Sequence, residues 1–396
     1  VPYGAFDGVA EALVQQVPER ITSALATVFG TMYAHSAVAA LPGPWRTVRA
    51  QAHIDFATAL VAVPSSGQRV VVLEEVQWAD ADSLALLRVL WAEPALSVII
   101  TVAVDADLPL PAALALMQHE QACVRLDVRA LPAEQQAAQV RQLMPQASAA
   151  AVSRVVEMAA GSPLLAELYA DESLFQSQLP TVALIAKPSA RVGLSDEEVD
   201  IQDATCMRIG RLGQQARTIA DWMAVATLPV GIVQLSELSG LSPLETLGAL
   251  RLLQDARVAR AVKAADGRVR FAMMHSRVND SLYRVLSTRR KVKMHRAIAQ
   301  WYVGQHDDVR FTETIAAQLC ASDQPADAAA WCARAAEQAY TRYAIDTARY
   351  WYARALVQIG LAGASAELAE LRTRIEIGHA RCHEAVEHPR AVAQVS

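Results

Sequence analysis

Two adjacent acids, Glu74 and Glu75, follow a short run of mainly β-branched residues, Arg69–Leu73. Such a run is typical of a strand that is buried on both faces of a sheet. Acids at the carboxyl end of a buried parallel strand lie where α/β folds bind their ligands. One carboxylate there suits Mg²⁺, and its neighbour could polarise a water molecule that attacks a phosphate. The simpler alternative is a pair of acids that water solvates at a strand end.

The segments that follow predict the sheet that positions these acids. Asp82 and Ser83 precede apolar residues at helical spacing, which predicts a helix with an N-cap. Two further apolar runs, Leu96–Val104 and Cys123–Val128, predict strands. Alternation of strand and helix at this spacing favours a parallel sheet with crossover helices.

The middle of the chain is predicted to be helical. Breaks are expected at Pro145 and at Gly161–Pro163, and a polar stretch from Asp171 to Asp196 predicts a linker. Helices and a hairpin then follow in the order of a winged helix. The predicted helices are Met207–Ala226, Ile232–Leu238 and Leu244–Asp255, the last opened by a capping box at Ser242, and the predicted strands are Val258–Val262 and Val269–Met273 around Asp266-Gly267.

The last hundred residues are rich in alanine and contain a repeated pattern. Ala328–Ala336 recurs as Ala348–Leu356, about one helix and its turn later. This spacing favours stacked helical hairpins, with an ordinary helical bundle as the alternative. Trp331 and Trp351 are predicted to be buried between neighbouring helices, because large aromatic rings supply apolar area against alanine faces.

Composition excludes several classes of protein. Of the 396 residues 53% are apolar and 19% are charged, which excludes a disordered chain. No apolar run approaches the ~18 residues of a membrane span, and no secretory leader is visible, so no membrane partner is expected. The five cysteines include no C-x-x-C pair, so neither a disulfide framework nor a zinc site is expected. A reducing cytoplasm is the expected location.

Four motifs, in order along the chain, resemble the STAND class of signalling NTPases, particularly the large ATP-binding LuxR-type transcription regulators. Leu73–Asp80 resembles their Walker B segment, and Pro2–Phe6 resembles the segment shortly after their phosphate-binding loop. Gly161–Leu164 resembles the G-x-P motif of their helical lid, and Phe271–His275 resembles the end of their winged helix.

The resemblance implies a function for each candidate residue. It implies ATP or ADP with Mg²⁺ as ligands, with Glu74 holding the metal and Glu75 orienting the attacking water. Pro163 would pack near the nucleotide base, and His275 would contact the β-phosphate of ADP and hold the closed state. The helical carboxyl-terminal part would be a tetratricopeptide-like sensor for an unknown inducer or protein.

The sequence departs from this family in three ways. It contains no G-x-x-x-x-G-K-[ST], the loop that grips the β- and γ-phosphates. Glu74 stands where the family usually has Asp, and Asp105 stands where it commonly has Arg. The chain is therefore expected to be either a fragment of a working NTPase, as its first residue Val1 suggests, or a descendant that has lost turnover.

Direct contact with DNA is not expected from this chain. The second helix of the predicted winged helix carries Glu245 and Asp255 and is not basic, as a DNA-reading helix would be. The basic cluster Arg289–Arg296 is interpreted as a solvated helix start rather than a phosphate contact. In a LuxR-type regulator the DNA-binding domain would lie beyond Ser396.

These patterns together predict an α/β plus α protein that acts as a nucleotide-gated signalling switch of a transcription regulator. Two alternatives remain open, a non-catalytic scaffold that binds proteins through its repeats and a regulatory module fused to a cyclase or kinase domain. The predicted segments are the carboxyl-terminal part of a P-loop NTPase domain with a partial parallel sheet (1–130), a helical lid and linker (131–193), a winged-helix domain (194–300) and tetratricopeptide-like helical repeats (301–396).

Overall fold

Helices dominate a computed structural model of the chain, and two two-stranded sheets accompany them in the part that it describes. The chain divides into two compact units, residues 1–125 with 302–396 and residues 126–301. The described residues are 45–64, 67–102, 112–117, 123–170, 196–226, 228–264, 267–305, 311–363 and 365–393, with Phe6, Val9, Ala10, Leu13, Gln16 and Val17.

The amino-terminal segment of the first unit contains a parallel pair of strands with helices on one face. Phe56 and Leu60 of the first helix and Leu86 of the second pack into one core with the inward side of the sheet. Its elements are α1 (Trp45–Ala62), β1 (Arg69–Leu73), a 3₁₀ turn (Val76–Trp78), α2 (Ala81–Trp91), β2 (Leu96–Ile100) and α3 (Ala112–Met117).

Strand β1 is buried on one face only. It pairs in parallel with β2, with Leu73 opposite Ile100. Val71 and Leu73 point into the core, whereas Val70 and Val72 are about half exposed. The prediction of burial on both faces is therefore wrong, because the helices that pack on the described sheet cover a single face.

The third predicted strand, Cys123–Val128, is also wrong. Residues 123–130 have no regular structure, and the side chains of Val124, Leu126 and Val128 are exposed. An apolar run forms a strand only where a neighbouring strand satisfies its backbone N–H and C=O groups. No strand of the described residues pairs with residues 123–128.

The carboxyl-terminal segment of the first unit is an array of packed helices. Alanines fill most of its core, and Trp351 is buried among them. Trp331 is only partly buried, and the Arg334 guanidinium lies 4.2 Å from its ring centroid, so the burial prediction is confirmed for Trp351 alone. The helices are α13 (Thr312–Cys320), α14 (Pro325–Thr341), α15 (Ile345–Ala362) and α16 (Ala366–Ala393).

The second unit begins with three short helices and continues with helices and a hairpin. The predicted breaks at Pro145 and Gly161–Pro163 are confirmed, and residues 171–195 of the predicted linker lie outside the described part. The elements are α4 (Ala133–Leu143), α5 (Ala149–Ala159), α6 (Pro163–Tyr169), α7 (Asp196–Arg211), α8 (Gly213–Val225), α9 (Ile232–Ser239), α10 (Pro243–Asp255), β3 (Ala259–Lys263), β4 (Val269–Met273), α11 (Ser276–Val285) and α12 (Thr288–Gly304).

Local signals in this unit predicted its elements well. The capping box at Ser242 and Glu245 is confirmed, and β4 has the predicted bounds. The helix predicted over Met207–Ala226 is wrong in one respect, because the chain breaks at Leu212, between α7 and α8, and Gly213 that follows has a φ of 85°. Phe271 of β4 also forms an antiparallel bridge with Val230.

The division into four segments and the name winged helix remain predictions. The order α8, α9, α10 and hairpin agrees with that fold, but the order of elements alone does not establish it. No helix among the described residues is both long and apolar enough to cross a membrane.

Two helical glycines of the array should respond in opposite ways to alanine. A Cβ on Gly378 of α16 would overlap the ring of Tyr352, whereas one on Gly360 of α15 would meet nothing within 4 Å. We expect Gly378→Ala to lower the free energy of unfolding by about 1–3 kcal/mol, because Tyr352 is buried. Gly360→Ala should raise it by up to about 1 kcal/mol. Urea unfolding of both variants measures this, and a stabilised Gly378→Ala would contradict the packing.

Candidate nucleotide-binding residues

The turn after β1 is fixed to the end of β2 by Thr101. The Glu75 N–H donates to Thr101 Oγ1 at 3.0 Å, and the Val76 N–H donates to the Thr101 carbonyl at 3.0 Å. Glu75 has a φ of 54°, in the left-handed region that non-glycine residues rarely adopt. The side chains of Glu74 and Glu75 are both exposed. The backbone therefore presents two adjacent carboxylates to solvent at the carboxyl end of a parallel strand.

Helix α2 begins one turn beyond these acids, and its cap differs from the predicted one. Asp80 is the N-cap, and its carboxylate accepts from the Ser83 N–H at 2.9 Å and from the Ser83 hydroxyl at 2.6 Å. The prediction placed the cap at Asp82 and Ser83. Because Asp80 satisfies the open end of the helix, the Asp82 side chain turns inward and is fully buried.

Buried Asp82 has partners on two other helices. Nη1 of Arg49, on α1, lies 3.1 Å from Oδ1, and the hydroxyl of Thr347, on α15, donates to Oδ2 at 2.7 Å. Burial raises the pKa of the Asp82 carboxyl from 3.8 to about 6, although Arg49 and then Thr347 act in the opposite direction. The Asp82 side chain thus joins the helix after the acids to the helical array of the same unit.

The Gly161-Ser162-Pro163 loop is held by buried Gln136. The Gly161 N–H donates to Gln136 Oε1 at 2.9 Å, and Gln136 Nε2 donates to the Ser162 carbonyl at 3.2 Å. Gly161 has a φ of 87°, and a Cβ there would lie 2.8 Å from that of Ala130. Ser162 caps α6, and Pro163 is its first residue. Each residue of this motif thus has a structural role, apart from any contact with a nucleotide.

Helix α6 is connected to the end of the hairpin by ion pairs of Glu167. Its Oε2 lies 3.6 Å from Nε2 of His275, and its Oε1 lies 3.7 Å from Nη1 of Arg257. His275 lies two residues beyond the end of β4 and is the N-cap residue of α11, and the Asn279 N–H donates to its carbonyl at 3.1 Å. A carboxylate of α6 therefore faces the imidazole of His275 and the guanidinium of Arg257.

Arg208 of α7 fixes the backbone near this cluster. Its Nη1 donates to the carbonyls of Glu167 and Leu168, and its Nε donates to the carbonyl of Ala256. These carbonyls lie at the carboxyl ends of α6 and α10, where helices leave acceptors without intrahelical partners. Arg208 thus holds in place the two chain segments that carry Glu167 and Arg257.

The structure groups the four predicted residues in two pairs. Glu74 and Glu75 lie side by side in the first unit, whereas Pro163 and His275 belong to the second, where Glu167, one helical turn after Pro163, meets His275. Asp105 and the segment from Pro2 to Ala5 lie outside the described residues. Among the residues described, no cluster of three His, Cys, Asp or Glu side chains could hold a metal ion.

Sequence reasoning missed Asp82, Arg208, Glu167 and Arg257. Of these, only Glu167 could have been found from the sequence. It follows Pro163 by four positions, and residues four apart lie on the same face of a helix. The sequence predicts a solvated basic cluster, yet Arg290 Nη2 lies 2.7 Å from Oδ2 of buried Asp221. That ion pair links α12 to α8, so the prediction of a solvated cluster is wrong for Arg290.

Comparison with known proteins gives no family. No protein-family model matches the chain, and no curated protein matches it. One solved structure that it resembles is the Signal Transduction ATPase with Numerous Domains (STAND) protein with a tetratricopeptide repeat sensor from Pyrococcus horikoshii, with a TM-score of 0.45 and 11% identity. The match covers 86% of this chain and 52% of that one, so the chain spans about half of that protein's length. This likeness is too distant to assign a function.

Removing the Thr347 hydroxyl should destabilise the protein in a pH-dependent way. The pKa of Asp82 is higher in the folded protein than in the unfolded chain, so its contribution to stability falls as pH rises from about 4 through 6. Thr347→Val removes a hydrogen-bond donor from the ionised Asp82 carboxylate, which makes this loss of stability with rising pH larger. We expect a deficit of about 1.5–3 kcal/mol at pH 7 and a smaller one at pH 4.5.

Urea unfolding at both pH values tests this expectation, with Thr341→Val at an exposed position of α14 as the control. Burial, followed by the charge of Arg49, lowers the pKa of His53 from 6.5 to about 3. The contribution of His53 to the free energy of unfolding is lost as pH falls below 6.5. This loss is the same in the wild type, in Thr347→Val and in Thr341→Val, so it cancels in the comparison. An equal deficit for Thr347→Val at both pH values would show that Asp82 is not the group involved.

Proposed function

We propose that this chain is the switch module of a nucleotide-gated signalling protein of the STAND type, acting within a transcription regulator. The observation that carries the proposal is the contact of Glu167 with His275 and Arg257. It joins the helix that begins with the Gly161-Ser162-Pro163 motif to the end of the hairpin. In such a switch, a ligand changes the state by binding one arrangement of these elements better than the other.

In this proposal the Glu167 carboxylate and a nucleotide phosphate compete for the same two partners, His275 and Arg257. The Glu167 contacts are 3.6 and 3.7 Å long, and the side chains of Glu167, His275 and Arg257 are 29%, 40% and 52% exposed. The Nε2 atom of His275 is itself buried and has no hydrogen-bond partner among the described residues. Ion pairs that are this long, between side chains that are this exposed, contribute about 0–1 kcal/mol, because water and salt screen them. A phosphate with more than one charge can therefore replace the carboxylate at small cost, and His275 with Arg257 would hold it.

Glu74 and Glu75 fit a metal that brings its own phosphate ligands. Mg²⁺ usually takes only one or two carboxylates from the protein and completes its octahedron with water and phosphate oxygens. Two exposed adjacent carboxylates supply that much, with Glu74 as the metal ligand and Glu75 as the residue that orients water. A bound Mg²⁺ would neutralise charge on the nucleotide phosphates.

The array of helices α13 to α16 is the proposed sensor. Thr347 ties α15 to α2 through Asp82, and α2 follows the turn that carries Glu74 and Glu75. An inducer or protein that binds the array would therefore act on the same structural unit as the two acids.

A second candidate function is a scaffold that binds a protein partner through the array. It is favoured by an exposed apolar stripe on α15, formed by Tyr350, Val357 and Leu361 at spacings of seven and four residues. Such a stripe on a helix suits a partner's apolar surface and does not require a nucleotide. Retention of partner binding when nucleotide binding is lost would separate the scaffold from the switch.

Opposite effects on ADP retention are expected from variants of the two ion-pair partners. In the complete gene product, His275→Ala should release ADP faster and raise basal signalling, because a phosphate contact is lost. Glu167→Gln should slow ADP release, because it removes the competing carboxylate and keeps the side-chain shape. Glu157→Gln, at an exposed position of α5, is the matched control.

Stopped-flow release of a fluorescent ADP analogue, together with a reporter assay, measures these effects. A merely structural contact would make both variants lose ADP faster and lower stability alike. Unchanged release in His275→Ala, with unchanged reporter output, would rule out the sensing function of that residue.

Residues 1–396 alone should bind ATP weakly and not hydrolyse it. The sequence lacks the phosphate-binding loop and its Lys. Losing several charge-assisted hydrogen bonds, at about 1.5–3 kcal/mol each, weakens binding by orders of magnitude. Titration of a fluorescent ATP analogue with Mg²⁺ into the purified chain, with a phosphate-release assay, measures both properties. Saturable binding at low micromolar concentration that Glu74→Ala abolishes would show a site that is complete without the loop.

A further inference from the structure

Two cysteines of the helical array touch each other. Cys320 is the last residue of α13, and Cys332 lies two turns inside α14. Their Sγ atoms are 3.3 Å apart, and both cysteines are in the reduced form. Cys332 is fully buried, whereas Cys320 is partly exposed. The pair therefore has one sulfur that a small reagent can reach and one sulfur that is held behind it.

A third helix supplies a cation to this pair. Pairing with the Cys332 thiol lowers the pKa of Cys320 to about 7 against the effect of burial, and the nearby Arg354 guanidinium of α15 also favours the thiolate. Pairing with Cys320 and burial raise the pKa of Cys332, which stays a thiol. Thiolates are the nucleophilic form of cysteine, so Cys320 is the reactive member and Cys332 is placed to react second.

We propose that Cys320 and Cys332 form a reversible redox site that hydrogen peroxide oxidises to a disulfide between α13 and α14. In the first step the Cys320 thiolate attacks one peroxide oxygen, the O–O bond breaks, and the leaving hydroxide takes up a proton to give water. Cys320 is then a sulfenic acid. In the second step the Cys332 sulfur attacks the Cys320 sulfur, the S–O bond breaks, and a second water leaves with the thiol proton.

The two cysteines lose two electrons in total, and the peroxide is reduced to two water molecules. Closing the bond needs the sulfurs to approach by about 1 Å, since a disulfide is ~2.05 Å long. A small-molecule dithiol reverses the reaction by exchange.

This site is independent of the proposed nucleotide switch. Cysteine spacing gave no sign of it, because the two residues are separated by eleven others and a turn brings them together. The disulfide would fix α13 to α14 in the core of the array, next to α15. Oxidation would thereby restrict any movement of these helices against each other.

Peptide mapping of the full chain tests the proposal directly. The reduced protein is exposed to hydrogen peroxide at pH 7, its remaining thiols are alkylated, and it is cleaved with trypsin. Residues 311–334 contain both cysteines and no internal Lys or Arg, so a disulfide appears as this one peptide, unalkylated and lighter by two hydrogens. Cleavage before Asp323 and Asp327 separates the two cysteines only when no disulfide joins them.

We expect this peptide to oxidise before Cys123, Cys206 and Cys382, and the dithiol to restore it. Cys320→Ser and Cys332→Ser should abolish the product, and Cys206→Ser in the other unit should leave it unchanged. Arg354→Gln should slow its formation severalfold at pH 7 and much less at pH 9, where Cys320 ionises in both proteins. Oxidation of all five cysteines at one rate, or conversion of Cys320 to a sulfinic acid without the disulfide, would overturn the proposal.

Discussion

The Asp82 carboxylate connects three helices of the first unit, and the cost of burying a charge explains why its contacts are kept together. An ionised carboxylate without partners in a protein interior costs several kcal/mol, so Arg49 and Thr347 must both stay in place when Asp82 is ionised. Thr347 is 265 residues away along the chain. The helical array is thereby fixed to α2, the helix that begins six residues after Glu75. If α15 moved away, the Asp82 carboxylate would lose the hydrogen bond that Thr347 donates. That loss would act on α2 and on the preceding turn, which carries Glu74 and Glu75.

The contact between Glu167 and His275 has the opposite character. Its groups are partly exposed, its distances are long for ion pairs, and screening limits its contribution to about 1 kcal/mol. A buried contact such as that of Asp82 suits a permanent connection, because breaking it needs more free energy than a modest ligand supplies. A weak contact suits a switch, because differential binding of 1–3 kcal/mol is enough to shift it. A ligand could therefore change the Glu167 contact of the second unit more easily than the Asp82 contact of the first unit.

The features that sequence predicted well depend on neighbouring residues in the chain. The capping box at Ser242 and the strand Val269–Met273 follow from local backbone chemistry, and both are confirmed. The break at Gly161 likewise follows from a residue that adopts positive φ without strain. The features that failed depend on distant partners. Whether Val70 is buried is decided by what packs on the sheet, and the contacts of Asp82 and of Cys320 with Cys332 are decided by how helices meet.

The backbone at Glu75 bears on the function of its side chain. A non-glycine residue in the left-handed region is strained by about 1 kcal/mol or more, and glycine would adopt this φ of 54° without that strain. Thr101 secures the turn through the backbone N–H of Glu75 and through Val76, neither of which requires a glutamate side chain. These two backbone contacts therefore do not depend on the glutamate side chain, and strained residues of this kind cluster at functional sites. An exposed carboxylate beside Glu74, at the carboxyl end of a parallel strand, is the feature that the glutamate adds, and it is the feature that the proposed metal and water chemistry needs.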